Sequence, residues 1–351
     1  MAKQEKPTTK ICKFCKTEIP FDAKVCPQCR KKVKQSGCFT WLMILIVAVF
    51  GISLFSGDEQ SSDGPHKVGE VGADSSSNAS TAPIQDSYAV GDILKDGDMK
   101  IVYVASGEYK EDNEFSQPKE GYKYIFLKFV FENESTTHDC SISSFNFECY
   151  ADGYAVDSYY GGEEDLSATL SAGRTSEGYI YFTVPKDAKE IEIEYETNFI
   201  TEEKIKFVYE GEKDSGYTIK KDPTPTKDAY KVGDIVQSSK LKISYLACED
   251  YKSDNMFIQP AKGYKYITCT FEFENVGKND EYISSGEFDC YADGISCNSI
   301  YIRDDNLSAT LSAGRKTKGT VTFEVPTNAS VVEVEYLSNY WTSNRVVFTA
   351  K

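Results

Sequence analysis

The most regular feature of the chain is a strict alternation of apolar and polar positions. In "YKYIFLKFVFE" Ile125, Leu127, Phe129 and Phe131 fall on one side, and "YKYITCTFEFE" repeats the set as Ile267, Cys269, Phe271 and Phe273. A period of two marks a strand, so these residues are expected in two cores. The opposite faces carry Tyr124, Phe126 and Lys128, or Tyr266, Thr268 and Thr270, which predicts partial burial at most. Strands are expected around 99–105, 122–132, 145–151, 154–160, 177–184, 190–196 and 204–209. The Asp-Gly pairs at 152–153 and 293–294 suit two-residue hairpin turns. In "IEIEYE" and "VEVEYL", Ile191, Ile193, Tyr195, Val332, Val334 and Tyr336 should face inward and the Glu residues outward. Short strands in this number, with no convincing helix, indicate a β-sandwich.

The sandwich occurs twice. "YAVGDILKDGDMKIVYVASGEYKEDNEFSQPKEGYKY" aligns with "YKVGDIVQSSKLKISYLACEDYKSDNMFIQPAKGYKY", "FECYADG" with "FDCYADG", and "LSATLSAGR" recurs unchanged. The domains are therefore expected at 88–210 and 230–351. The Ser, Gly and Asp-rich stretch 58–87 and the Pro-bearing stretch 211–229 read as linkers.

A different pattern precedes them. No charged residue occurs from Gln35 to Gly57, whose core reads "FTWLMILIVAVFGISLF". As a helix, about 20 such residues would cover roughly 30 Å, the thickness of a hydrocarbon core. Residues 36–57 are thus expected to be a single membrane span. Residues 1–35 hold ten basic and three acidic residues, although the whole chain carries −16. The positive-inside rule places the N-terminus in the cytoplasm and 58–351 outside. The acidic remainder argues against nucleic acid as the partner of the whole protein.

On the inner side, "CKFCKTEIPFDAKVCPQC" contains two Cys-x-x-Cys pairs. Cys12, Cys15, Cys26 and Cys29 supply the four thiolates that tetrahedral Zn²⁺ requires. All four positions are filled by sulfur, which makes the metal structural. The stretch resembles the short bacterial zinc-ribbon family over 11–32, with Lys16 and Arg30 where glycine is usual.

The repeats resemble the immunoglobulin-like domain-of-unknown-function family of anchored and secreted Gram-positive proteins, related in fold to the mycobacterial immunoprotective extracellular antigen. The residues concerned are "GYKYIFLKFVFEN" and "GYKYITCTFEFEN", "LSAGRTSEGYIYFTVP" and "LSAGRKTKGTVTFEVP", then "IEIEY" and "VEVEY". The resemblance implies extracellular Ig-like sandwiches and brings no catalytic residues.

Chemistry in the repeats is sparse. The two histidines, His66 and His138, have no partners in a triad pattern, and Ser167, Ser171, Ser308 and Ser312 suit turns. The acidic groups Glu163, Glu164 and Asp165, Asp304 and Asp305, and Asp112 with Asp254 match no calcium-loop spacing. A two-residue turn would set Cys290 opposite Cys297, which leaves a cross-strand disulfide open, whereas the first repeat has Val156 there. "DSYYGG" and "NSIYIRDD" could offer aromatic platforms to sugar or peptide. The expected protein is non-enzymatic. It is a single-pass membrane protein displaying two binding or adhesion domains to an extracellular protein or cell-wall ligand. The alternative is a signalling or scaffolding subunit whose ribbon binds a cytosolic protein.

Overall fold

A computed structural model describes residues 9–11, 17–20, 65–72, 87–162, 166–198, 203–256, 258–301, 306–339 and 344–351. The chain divides into two units, Met1–Ser61 and Ser62–Lys351. In the first, Thr9–Ile11 and Glu18–Pro20 pair antiparallel. The second is mainly β and holds two tandem sandwiches.

One sheet of the first sandwich runs Asp92–Asp96, Met99–Tyr109, Tyr122–Asn133 and Thr175–Pro185, each antiparallel to its neighbour. The other runs Tyr154–Ser158, Phe147–Ala151, Ile191–Asn198 and Glu203–Val208. Tyr154–Ser158 also pairs with Thr175–Pro185, joining the layers along one side. The second sandwich repeats this plan. Ile235–Gln237, Leu241–Tyr251, Tyr264–Asn275 and Lys316–Pro326 face Ile295–Ser299, Phe288–Ala292, Val332–Asn339 and Asn344–Thr349.

The alternation decides what is buried. Ile125, Leu127, Phe129 and Phe131 are fully buried, and Ile267, Cys269, Phe271 and Phe273 nearly so. At the centre of the first core Tyr103, Phe129 and Phe207 pack ring to ring, with centroids 4.8 to 5.5 Å apart. Tyr245, Phe271 and Phe348 do the same in the second, at 4.8 to 5.2 Å. Among the described residues both cores are drawn from Tyr88–Phe348, inside the compact unit Ser62–Lys351. The opposite faces are more buried than alternation predicts, since Tyr124, Tyr266 and Thr268 are also covered.

The Asp-Gly turns form as expected. Asp152 and Gly153 have φ of 48° and 79°, and Asp293 and Gly294 have 49° and 85°, the left-handed pair that a type I′ hairpin requires. Aspartate adds a second role, because Asp152 Oδ1 accepts from the Lys189 and Glu190 amides and Asp293 Oδ1 from those of Ser330 and Val331.

Three expectations need correction. Within the expected tether 58–87, His66–Glu70 is a strand paired with Asp92–Asp96, and Lys67 Nζ holds the buried Asp92 carboxylate at 2.6 Å. Within the expected linker 211–229, Lys213 and Asp214 pair with Ser106 and Ala105. The glutamates expected to point outward at 333 and 335 are 1% and 3% exposed.

The cause of that last burial is the first sandwich. Arg174 of "LSAGR" places Nη2 2.7 Å from both Glu333 Oε2 and Glu335 Oε1, with Nε 3.0 Å from the latter. Its guanidinium lies 4.6 Å from the Tyr291 ring centroid. Ser171 Oγ donates to Glu335 Oε2 at 2.7 Å, and the Thr226 amide to Glu333 Oε1 at 2.6 Å. Tyr291 Oη donates to the Thr169 carbonyl at 2.9 Å. A second clamp runs the other way, with Arg345 bonded to Asp139 of the first sandwich and Asp289 of the second. Among the described residues no buried side-chain nitrogen or oxygen lacks a hydrogen-bond partner. A satisfied, desolvated network of this kind fixes one arrangement of its parts, so the two sandwiches are held as one body.

Candidate interaction surface

The expected zinc ligands Cys12, Cys15, Cys26 and Cys29 and the apolar run 36–57 lie outside the described residues. The segment between the paired strands Thr9–Ile11 and Glu18–Pro20 carries Cys12 and Cys15 in sequence. Among the described residues no helix is long and apolar enough to cross a membrane, and no cluster of His, Cys, Asp or Glu could hold a metal ion. His138 Nδ1 lies 2.8 Å from Thr137 Oγ1 in an exposed loop, and Ser171 is committed to Glu335. Ser167 Oγ lies 3.1 Å from Ser144 Oγ. Glu163, Glu164, Asp165, Asp304 and Asp305 also fall outside the described residues.

What the structure does assemble is an aromatic strip on the outer face of the first sandwich. The register sets Tyr179 opposite Lys128 and Tyr181 opposite Phe126, which brings side chains from two distant segments into one row. Phe126 and Tyr179 meet edge to face at 5.7 Å, and Tyr179 and Tyr181 stack at 6.0 Å. Tyr109 packs on Tyr181 at 4.9 Å, and Tyr124 stacks on Tyr159 at 3.8 Å. Tyr159 and Tyr160 come from "DSYYGG", the stretch flagged by its composition. The neighbouring glycines have a packing reason, since a Cβ on Gly162 would lie 2.2 Å from the Tyr181 ring.

Electrostatics hold the strip in place. Tyr159 Oη donates to Glu111. Desolvation, then this bond, raises the Tyr159 pKa, and the same bond lowers that of Glu111. At neutral pH the pair is therefore phenol and carboxylate, and the ring is pinned against Tyr124. Lys128 Nζ sits 5.3 Å from the Tyr179 ring centroid and 2.9 Å from Glu177.

Exposed apolar groups border the strip. Phe115 is 92% exposed, and Phe145 and Tyr160, whose ring centroids are 6.0 Å apart, are 77% and 70% exposed. The cleft among Ser144, Tyr159, Tyr160, Tyr179 and Tyr181 measures about 90 Å³, too small to enclose a ligand, which usually takes 300 Å³ or more. Along the same row a groove of about 600 Å³ lies between Phe126, Lys128 and Tyr179 and the chain around Glu212 and Tyr217. The geometry is that of a platform and groove, with carboxylates and hydroxyls at its margins.

The second sandwich has lost this strip. Thr268, Thr320, Thr322 and Ile300 stand where the first has Phe126, Tyr179, Tyr181 and Tyr159. Thr268 and Thr322 are buried and joined by a 2.9 Å hydrogen bond. "NSIYIRDD" therefore supplies an exposed Tyr301 without a row beneath it. The paired repeats have one scaffold and two different surfaces.

The sequence profile of a domain of unknown function, DUF4352, matches residues 88–205 and 230–346. No curated protein matches the chain. Among solved structures, the chain is similar to a putative lipoprotein, ycdA, from Bacillus subtilis at 15% identity and a TM-score of 0.29, covering 33% of this chain. It spans only 37% of that lipoprotein's own length. The yjhA protein of Bacillus subtilis matches at 13% identity and 0.29, with 35% of this chain and 99% of that one covered. MPT63, a secreted protein from Mycobacterium tuberculosis, matches at 13% and 0.28, with 36% and 99% covered.

Proposed function

The chain belongs to the DUF4352 family, whose domain makes up more than half of its length in two copies, and from that premise we propose that it is a non-enzymatic, single-pass membrane protein that binds an extracellular ligand through the aromatic face of its first Ig-like sandwich. The observation that carries the reading is the strip from Tyr159 to Phe126 with its exposed border. Exposed aromatic side chains gathered on one face mark an interaction site, and here they are Phe115, Phe145 and Tyr160, set beside a row that is half-buried and, at Tyr124 and Tyr181, buried. The second sandwich, on the same scaffold, has replaced the row with threonines. Flat aromatic rings beside carboxylates suit the faces of sugar rings or extended peptide, so the ligand is a cell-wall polymer or an extracellular protein. The uncharged run 36–57, flanked by basic residues on its N-terminal side, supports a membrane anchor with the N-terminus in the cytoplasm.

Inside the cell, Cys12, Cys15, Cys26 and Cys29 would hold a structural Zn²⁺. Four thiolates at this spacing suit the ion's tetrahedral preference, and the antiparallel pair around Cys12 and Cys15 is compatible with a folded knuckle. The metal, when bound, supplies folding energy to the head. Such a head would serve as a docking point for a cytosolic protein, which is the signalling or scaffolding reading.

Immobilised segment 62–351 should retain a defined component when exposed to purified cell-wall polymers and to secreted proteins. Retention no greater than on an unrelated β-sandwich of equal charge, in both fractions, would end this reading.

A further inference from the structure

The second sandwich carries a pair of thiols that the first lacks. Cys248 and Cys269 are register partners on adjacent antiparallel strands, and their sulfurs lie 3.0 Å apart. The equivalent positions of the first sandwich, Ser106 and Leu127, are also register partners. A bulge between Tyr245 and Ala247 creates the pairing. Without that skipped residue, Cys248 would stand opposite Thr268 and point to the other face. Directly opposed residues of an antiparallel pair have Cα atoms about 4.5 to 5.5 Å apart, inside the span a disulfide bridges.

The two thiols have different surroundings. Cys269 is fully buried against Tyr245, whose Oη lies 3.6 Å from its sulfur. Cys248 is half-buried and lines a cleft of about 90 Å³ with Asp250, Lys265, Val325 and Pro326. Hydrogen bonding from Cys269, then from Tyr245, lowers the Cys248 pKa despite its partial burial, with Lys265 adding in the same direction. The Cys269 thiol is pushed well up. One sulfur therefore belongs to a partly exposed residue and ionises the more readily of the two, and the other is a sheltered thiol in contact with it. The other copy-two pair, Cys290 and Cys297, is also in register, but there the buried Cys290 thiol is pushed up first by desolvation, and the Cys297 sulfur lies 3.7 Å from the Ile295 carbonyl.

We propose that Cys248 and Cys269 are a thiol–disulfide exchange site for small organic disulfides. The Cys248 thiolate attacks one sulfur of the incoming disulfide, forming a mixed disulfide and expelling one thiolate, which takes up a proton. Cys269, losing its proton to solvent, attacks the Cys248 sulfur, forms the Cys248–Cys269 bond and expels the second thiolate. Two protein thiols are oxidised and one external disulfide is reduced to two thiols. The chemistry needs only that partner, so it does not rest on the ligand or the membrane topology proposed above.

The test treats segment 62–351 with oxidised glutathione, alkylates remaining thiols and maps the peptides. The expected product has four free thiols in place of six, with the peptides of Cys248 and Cys269 linked and lighter by two hydrogens. Cys269→Ala should trap glutathione on Cys248, and Cys248→Ser should leave Cys269 unmodified. If Cys248 and Cys269 both remain alkylatable in the wild-type segment, or if oxidation links only Cys290 to Cys297, the proposal is overturned. The wild-type map decides the matter even if Cys269→Ala fails to fold.

Discussion

Arg174→Ala should lower the stability of segment 62–351 by about 3 to 5 kcal/mol, the usual result of removing one partner from a buried ion pair. The guanidinium is the cation that compensates Glu333 and Glu335, whose side chains are 1% and 4% exposed. Without it, two carboxylates face each other under a layer of protein, held only by Ser171, Thr226 and the more distant Arg345, at 3.7 Å from Glu335. The sandwiches should separate so that the glutamates can rehydrate. Calorimetry should then show the two sandwiches melting independently and at lower temperature than in the wild type. Arg174→Lys should recover little, because an ammonium cannot offer Nε and Nη2 to Glu335 and reach Glu333 together. A variant that melts as a single transition at the wild-type temperature would mean that the clamp couples nothing.

Phe271→Ala should cost a similar amount, about 3 to 5 kcal/mol for a large aromatic removed from a packed core, but the damage should be confined to one sandwich. Phe271 is fully buried and touches Tyr245, Phe348 and Phe288 with ring centroids 4.8 to 5.1 Å away. No neighbouring ring can swing into the void without leaving its own contacts. Amide hydrogen exchange should accelerate across Leu241–Tyr251 and Tyr264–Asn275 while Met99–Tyr109 and Tyr122–Asn133 stay protected. Uniform acceleration through both sandwiches would show that the cores do not fold separately.

These contrasts mark where sequence reasoning stops. Alternation in "YKYIFLKFVFE" decides which side of a strand is apolar, so the two cores and the Asp-Gly hairpins follow from it directly. It says nothing about a second domain lying on the polar side, and "IEIEY" and "VEVEY" are equally alternating. In the first sandwich Glu194 pairs with Lys204 at the surface, whereas in the second Glu335 is sealed under Arg174. The arginine itself comes from "LSAGR", which is identical in both repeats, and Arg315 at the second position is exposed. Only the arrangement of the two domains distinguishes them.

The interaction strip was half visible. Composition flags Tyr159 and Tyr160, but Phe126, Tyr179 and Tyr181 join them through a strand register between segments some fifty residues apart. Cys248 was hidden for a related reason. A single bulge shifts its side chain to the core face, and neither glycine nor proline announces the bulge in "LKISYLACEDY". His66–Glu70 lacks any apolar alternation, and its pairing rests on backbone bonds and the Lys67 contacts, which composition does not reveal.

The central claim is that the first sandwich, and not the second, provides the binding surface. It is tested most directly by measuring the affinity of segment 62–351 for its captured ligand after the exposed aromatics are removed from each sandwich in turn. Phe115, Phe145 and Tyr160 are exposed enough to be replaced together by alanine without opening a core, as are Tyr282 and Tyr301 of the second sandwich. The account predicts that the first set weakens binding by at least about tenfold, as loss of aromatic anchors does, and that the second leaves it within about twofold. Equal loss from both sets, or loss confined to Tyr282 and Tyr301, would contradict it.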